Sequence, residues 1–393
     1  MKRIELGYLS IDDKGRSYVN DVLNCNRLSA GKYMDAFEKR FAKEHDCRHA
    51  VMCNSGTSAL QIALAALMEK YGFREGDEAL VPAVTFIATS NIVLQNRMAP
   101  VFVDVDRISY NIDPSRIEER ITANTKVIIP VHLFGLPCEM DPILAIAERH
   151  GLKIIEDSCE TMFARYKGRL VGSFGEMACF STYVAHLLVT GVGGLITTQS
   201  DELCIMARSI LGHGRDPIYL NIDDDDSVVD NAEFSEIIQR RFSFVRMGYS
   251  YRATEMEAAL GLAALEKATD MIEKRRHNAA YLIQGLKRHE HYLQLPSWPA
   301  HSTHSFMMFP IVLREGEREP LVNHLERCGI ETRFMFPLLN QPYYRSMFGE
   351  IEAMYPVARW VNRQGFYIGC HQGLEKADLD YIIEVFGEYF EKG

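Results

Sequence analysis

From His49 to Asp157 short apolar runs alternate with stretches of helical periodicity, and this alternation constrains the fold more than any other feature of the chain. The runs His49–Cys53, Glu78–Pro82, Ala99–Asp104, Thr125–His132 and Lys153–Asp157 read as strands. Ala59–Tyr71, Phe86–Asn96, Pro114–Ile121 and Pro142–His150 read as the intervening helices. Apolar strands that each return through a helix predict a mainly parallel sheet covered on both faces, an α/β fold. Such sheets bind ligands at the carboxyl ends of their strands. Ser55–Ser58, Thr85–Phe86 and Asp157 fall there.

The first of these ends is Asn54-Ser-Gly-Thr-Ser58, lying between a buried strand and an Ala/Leu-rich helix. Strand, glycine turn and helix N-terminus bring free amides and the helix dipole together, which suits a phosphate. The same pattern also serves an ordinary capped helix. Downstream, Glu202–Leu211 is helical, and Thr254–Arg276 reads as one long helix joining a large domain (residues 1–265) to a smaller one (266–393). Strand Phe306–Leu313, helix Pro320–Cys328 and terminal helix Lys376–Tyr389 make the latter an α+β cap.

A net charge of −10 without a basic stripe speaks against a nucleic-acid surface. The nine scattered cysteines lack Cys-x-x-Cys spacing and point to reduced thiols in a cytoplasmic protein. No apolar run is long enough to span a membrane. The run Asp223–Asp226 reads as an exposed loop and not a metal site, and no other metal cluster is expected.

The stretch Ala178–Thr198 carries the chemistry. Two apolar β-runs flank a short turn holding Ser181 and His186, followed by Thr190-Gly-Val-Gly-Gly194. With its spacing of Ser, four residues, a sixth position and a Thr-Gly-x-Gly-Gly run, it resembles the DegT/DnrJ/EryC1/StrS family of pyridoxal phosphate (PLP)-dependent sugar aminotransferases. Further matches run from Gly31-Lys-Tyr33 to Gly369-Cys-His-Gln372. The resemblance implies the type I aminotransferase fold, working as a homodimer with active sites at the subunit interface. It implies that Asp157 holds the pyridine nitrogen protonated and that Phe86 stacks on the cofactor ring. Gly56, Thr57, Ser58 and Ser181 would cradle its phosphate, and Glu160 would lie near its ring hydroxyl. Ser250, in Gly248-Tyr-Ser-Tyr-Arg252, stands where the family carries an Asn that reaches across the dimer to the phosphate.

His186 occupies the position of the family's lysine. A primary amine forms a Schiff base with PLP and an imidazole cannot, so the cofactor would be held without a covalent tether, as the amine form, PMP. An imidazole of ordinary pKa, ~6.5, still moves protons near neutrality. Together with Glu156-Asp-Ser-Cys-Glu160, Gly212-His-Gly-Arg215 and Tyr367-Ile-Gly-Cys-His-Gln372, this resembles the lysine-less PMP-dependent sugar 3-dehydratases of the GDP-4-keto-6-deoxymannose 3-dehydratase type. The resemblance implies a lyase that removes the C3 hydroxyl of a nucleotide-linked 4-keto-6-deoxy sugar, with L-glutamate regenerating PMP. His213, Arg215 and His371 are candidate substrate contacts. No Cys-x-Cys pair occurs, so no iron–sulfur cluster is expected. Two alternatives stay open: a sugar aminotransferase in which His186 is a natural or engineered replacement of lysine, and a non-catalytic sugar-nucleotide sensor.

Overall fold

The computed structural model describes residues 3–217, 230–240 and 242–391; the acidic run Asp223–Asp226 lies outside the described residues. Two helices, α1 (Asp13–Asn24) and α2 (Lys32–Glu44), precede strand β1 (His49–Cys53). There follow α3 (Gly56–Tyr71), β2 (Glu78–Pro82), α4 (Ile87–Gln95), β3 (Ala99–Val103), β4 (Thr125–Ile128), α5 (Met140–His150) and β5 (Lys153–Asp157). A small hairpin, β6 (Arg165–Tyr166) and β7 (Arg169–Leu170), leads to β8 (Met177–Ser181) and β9 (Gly194–Thr198). The seven-stranded sheet runs β1-β9-β8-β5-β4-β2-β3. Only β9 opposes its neighbours, pairing antiparallel with both β1 and β8, while the other contacts are parallel. This is the mixed, mainly parallel α/β sheet of the type I aminotransferase fold.

Helix ends follow local chemistry. Ser55 caps α3 by accepting the Ser58 amide, and Gly72 ends that helix in the left-handed conformation. Residues 114–120 form two short 3-10 turns instead of the expected helix.

After α6 (Asp201–Leu211) and α7 (Asn231–Arg240), the expected single helix over Thr254–Arg276 is two: α8 (Glu255–Leu265) and α9 (Ala268–Leu286). Periodicity hides the break because both halves are good helix formers, and tertiary contacts decide it. α8 packs on α1 and α2, whereas α9 packs on the terminal helix. At the junction Glu266 pairs with Lys14, and Lys267 pairs with Asp12, the N-cap of α1.

The smaller unit has a four-stranded antiparallel sheet, β10 (Leu293–Gln294), β11 (Phe309–Leu313), β12 (Thr332–Phe334) and β13 (Gly365–Ile368), in the order β10-β11-β13-β12. β11 begins later than its apolar run, since Phe306 sits at φ 49°. Helices α10 (Arg318–Arg327), α11 (Pro342–Phe348), α12 (Pro356–Gln364) and α13 (Lys376–Glu391) complete it. Ile4 packs into this second core beside Leu282, Phe309 and Ile368, while Leu6 belongs to the large core. All nine cysteines are free thiols. No described helix is long and apolar enough to cross a membrane.

Candidate active site

A cavity of about 380 Å³ opens over the carboxyl ends of β5 and β8. Its floor is Asp157, the last residue of β5 and 4% exposed. One carboxylate oxygen accepts the Thr89 hydroxyl at 2.7 Å and the other accepts the Cys159 amide at 3.1 Å. Thr85 lies 2.8 Å behind Thr89, so the two hydroxyls form a chain ending on Asp157. Burial pushes the Asp157 pKa up, and those two donors oppose it. Among the described residues no Lys, Arg or His forms an ion pair with this carboxylate.

Glu160 stands beside it and accepts the Phe134 amide at 2.9 Å, which places Phe134 at φ 55°. Burial, with the Asp157 charge adding to it, raises its pKa to about 8, so Glu160 is largely protonated at neutral pH. Beneath both, Glu156 accepts the amides of Gly172, Phe174 and Gly175, and His132 Nε2 lies 3.1 Å away. His132 Nδ1 accepts the Cys138 amide at 3.0 Å, so Nε2 carries the proton donated to Glu156. Glu156 thus fixes the strand end from which Asp157 projects.

At the other end of the cavity the N-terminus of α3 meets Ser181. A Cβ on Gly56 would lie 2.8 Å from both Cys159 Sγ and Ser181 Cβ, so only glycine lets this backbone approach. The amides of Gly56 and Thr57 lie in the first turn, where no intrahelical acceptor exists. Ser58 is placed differently. Its hydroxyl donates to Asn54 at 2.7 Å and accepts from Ser55 at 2.9 Å, a capping network beneath the helix end, and it does not line the cavity.

His186 lies on the loop from β8 to β9, which is twelve residues of irregular backbone and not a short turn. Its Nδ1–H donates to the Ser181 carbonyl at 3.3 Å, which leaves Nε2 as the basic nitrogen. Burial lowers its pKa to about 4; the Ser181 bond opposes the shift and the positive charge of Arg275 adds to it. The resting ring is therefore neutral across the physiological range, with Nε2 able to accept a proton. The walls are Phe86, Tyr183, Met307, Met308, Phe336 and Tyr367. Phe86 is 55% exposed, with its ring edge toward Phe336 at 6.1 Å, so it is a cover and not core. Among the described residues, none lining the cavity is a lysine.

Gly56, Thr57, Phe86, Asp157, Glu160, Ser181 and His186 thus line one cavity. Ser250, His213 and Arg215 sit apart from it, where 212–215 run beside 244–250. Ser250 accepts from Arg252 at 3.1 Å, and the same guanidinium lies 3.3 Å from His213 Nε2. Arg215 lies over Phe242 and Phe244. His371 is buried, stacked on Tyr8, with Nε2 3.1 Å from the Glu5 carbonyl, and it does not reach the cavity. Thr89, Tyr183, Phe336 and Tyr367 were not anticipated from sequence. Thr89 follows Thr85 by one helical turn at the same strand end, Tyr183 lies within the stretch 178–198, and Tyr367 opens the motif 367–372, while Phe336 has no such signal.

Residues 9–386 match the model of the DegT/DnrJ/EryC1/StrS aminotransferase family, and the chain belongs to that family. It is 34% identical over 389 residues to a GDP-perosamine synthase of Caulobacter vibrioides, covering 98% of this chain and 97% of that protein. It is 31% identical to a GDP-4-keto-6-deoxy-D-mannose 3-dehydratase of Yersinia pseudotuberculosis, covering 92% of each. Among solved structures, the Escherichia coli GDP-4-keto-6-deoxy-D-mannose-3-dehydratase with bound hydrated PLP superposes with a TM-score of 0.87 at 29% identity, over 98% of this chain and 99% of that one. Its relatives therefore include both aminotransferases and a dehydratase of nucleotide sugars.

Proposed function

We propose that the chain is a PLP/PMP-dependent 3-dehydratase acting on a nucleotide-linked 4-keto-6-deoxy sugar. The observation that carries this reading is His186, neutral and with Nε2 as its basic nitrogen, in a cavity with no lysine among its described lining residues. The residues present fit the cofactor. Asp157 is a buried carboxylate with no ion pair among the described residues and suits a protonated pyridine nitrogen. The amides of Gly56 and Thr57 with the Ser181 hydroxyl suit the phosphate. Phe86 covers the ring, and protonated Glu160 offers a donor to the ring oxygen.

When bound in its amine form, the cofactor supplies the electron sink and the two electrons with which the sugar loses its C3 hydroxyl as water, while its nitrogen leaves as ammonia and is restored from L-glutamate. His186 Nε2 takes up a proton and returns it to the departing C3 oxygen. The Ser181 carbonyl holds the ring in the tautomer this requires. Asp157 keeps the ring-nitrogen proton in place. A homodimer acting in the cytoplasm belongs to the same reading.

The 34% identity to a GDP-perosamine synthase supports a second reading, amino transfer to the same class of keto sugar. The two readings separate on the product. Incubation with PLP, L-glutamate and a GDP-linked 4-keto-6-deoxy sugar should give a sugar nucleotide one oxygen poorer, together with free ammonia. A 4-amino sugar would instead establish the aminotransferase. Borohydride should also fail to fix the cofactor to the chain.

A further inference from the structure

The first described residues tie the two cores to the loop that carries His186. The Ile4 amide donates to the Gly329 carbonyl at 2.8 Å, and the Glu331 amide donates back to the Ile4 carbonyl at 2.9 Å. The Leu6 amide donates to the Glu331 carboxylate at 3.2 Å. His371 reaches the Glu5 carbonyl at 3.1 Å, and the Tyr8 ring lies parallel to the His371 ring at 5.4 Å. A Cβ on Gly369 would stand 2.3 Å from the Glu5 carbonyl oxygen, so residues 4–8 lie tightly in the smaller unit. On the other side, a Cβ on Gly7 would stand 3.0 Å from the Val184 carbonyl oxygen and 3.1 Å from Ala185 Cα. Val184 and Ala185 immediately precede His186.

The far side of the loop is anchored by Leu187 and Leu188 in the large core and by a Tyr183–Gly191 bridge, and the segment before His186 has little else of its own. Between Tyr183 and Val189 its own backbone makes a single internal hydrogen bond, from the His186 amide to the Tyr183 carbonyl at 2.9 Å. The ring adds the bond to the Ser181 carbonyl. We propose that residues 4–8 are a strap that seats the His186 loop against the smaller unit, with Gly7 as the positioning residue; the catalytic consequence rests on His186 as the proton carrier. Glycine is needed at position 7 because backbone there meets backbone. A larger residue must displace Val184–Ala185 by a few tenths of an ångström or more, and His186 with them. Because Ile4 is rooted in one core and Leu6 in the other, a shift of the smaller unit is passed to the loop through three residues.

The test uses the full chain with Gly7→Ala, Gly7→Val and Tyr8→Ala, and with Leu9→Ala, at an exposed position beyond the strap contacts, as control. Amide hydrogen exchange of the cofactor-free protein should be about 10-fold faster over residues 182–190 in Gly7→Val, intermediate in Gly7→Ala and unchanged in Leu9→Ala, with β8 and α3 unaffected. With cofactor and substrate, kcat should fall about 10- to 100-fold at a nearly constant KM for the sugar. Unchanged exchange over 182–190, or acceleration spread equally over β8 and α3, would overturn the strap. Should Gly7→Val not fold, Tyr8→Ala removes the stacking on His371 without adding bulk and must itself loosen 182–190. His186→Asn is measured alongside. If that variant still turns over, the role of His186 is wrong whatever the exchange data say of the strap.

Discussion

Replacing Thr89 with Val removes one hydroxyl from the floor of the cavity and changes little else in shape. That hydroxyl donates at 2.7 Å to the buried Asp157 carboxylate, beside the Cys159 amide, and among the described residues the carboxylate has no ion-pair partner. A hydrogen bond to a buried charge contributes about 1.5–3 kcal/mol, and the Thr85 hydroxyl loses its acceptor as well. The ionised form of Asp157 becomes harder to hold, and with it the protonated ring nitrogen opposite. Cofactor affinity should fall about 10- to 150-fold, since each ~1.4 kcal/mol is a factor of ten. The empty protein loses the same hydroxyl bonds, so its thermal midpoint should fall too, but by less than that of the loaded protein. The assay is a cofactor titration at pH 7 by absorbance, paired with thermal scans of empty and loaded protein. An affinity within about twofold of the parent, less than ~0.5 kcal/mol, would refute the assignment of Asp157 and its hydroxyl chain.

His186→Lys should abolish dehydration, allow borohydride to fix the cofactor to the chain and bring in amino transfer to the keto sugar; continued dehydration in that variant would remove His186 from the mechanism. Acid should unfold the protein early. His45 and His371 have folded pKa values lowered to about 4, and His304 to about 3, chiefly by burial. A depressed folded value means stability that is complete above the unfolded value near ~6.5 and is lost as pH falls toward the folded one, at most about 3 kcal/mol per group by pH 4. Denaturant midpoints at pH 7 and pH 5 measure this. Glu255→Ala should cost about 3 kcal/mol in urea unfolding, because its carboxylate accepts the amides of Gly31, Tyr33 and Met34 at the start of α2, and Glu255→Gln should recover part of it.

The sheet was legible because parallel strands buried on both faces leave continuous apolar runs, and the residues at their ends then follow from chain order. Asp157, Gly56, Thr57 and Phe86 are of this kind. Residues that arrive by tertiary packing leave less trace: Phe336 comes from the smaller unit with no motif around it, and Tyr367 opens a motif whose place on the cavity wall only packing decides. Ser58 illustrates the opposite limit. Its place at a helix start suits both a cap and a phosphate contact, and the positions of Asn54 and Ser55 decide for the cap. His371 lies in a motif, yet its ring is committed to the Glu5 carbonyl and Tyr8. The break between α8 and α9 was hidden because helix propensity continues across it while packing partners change.

The strap also sets an order of events during synthesis. The partner of Leu6, Glu331, is synthesised 325 residues after it. At roughly 5–20 residues per second this is a wait of about 16 to 65 s, during which the large sheet can already assemble. The His186 loop thus receives this support only once residue 331 has been made. A nascent chain halted before residue 331 would lack the bonds of Ile4 and Leu6 to Glu331.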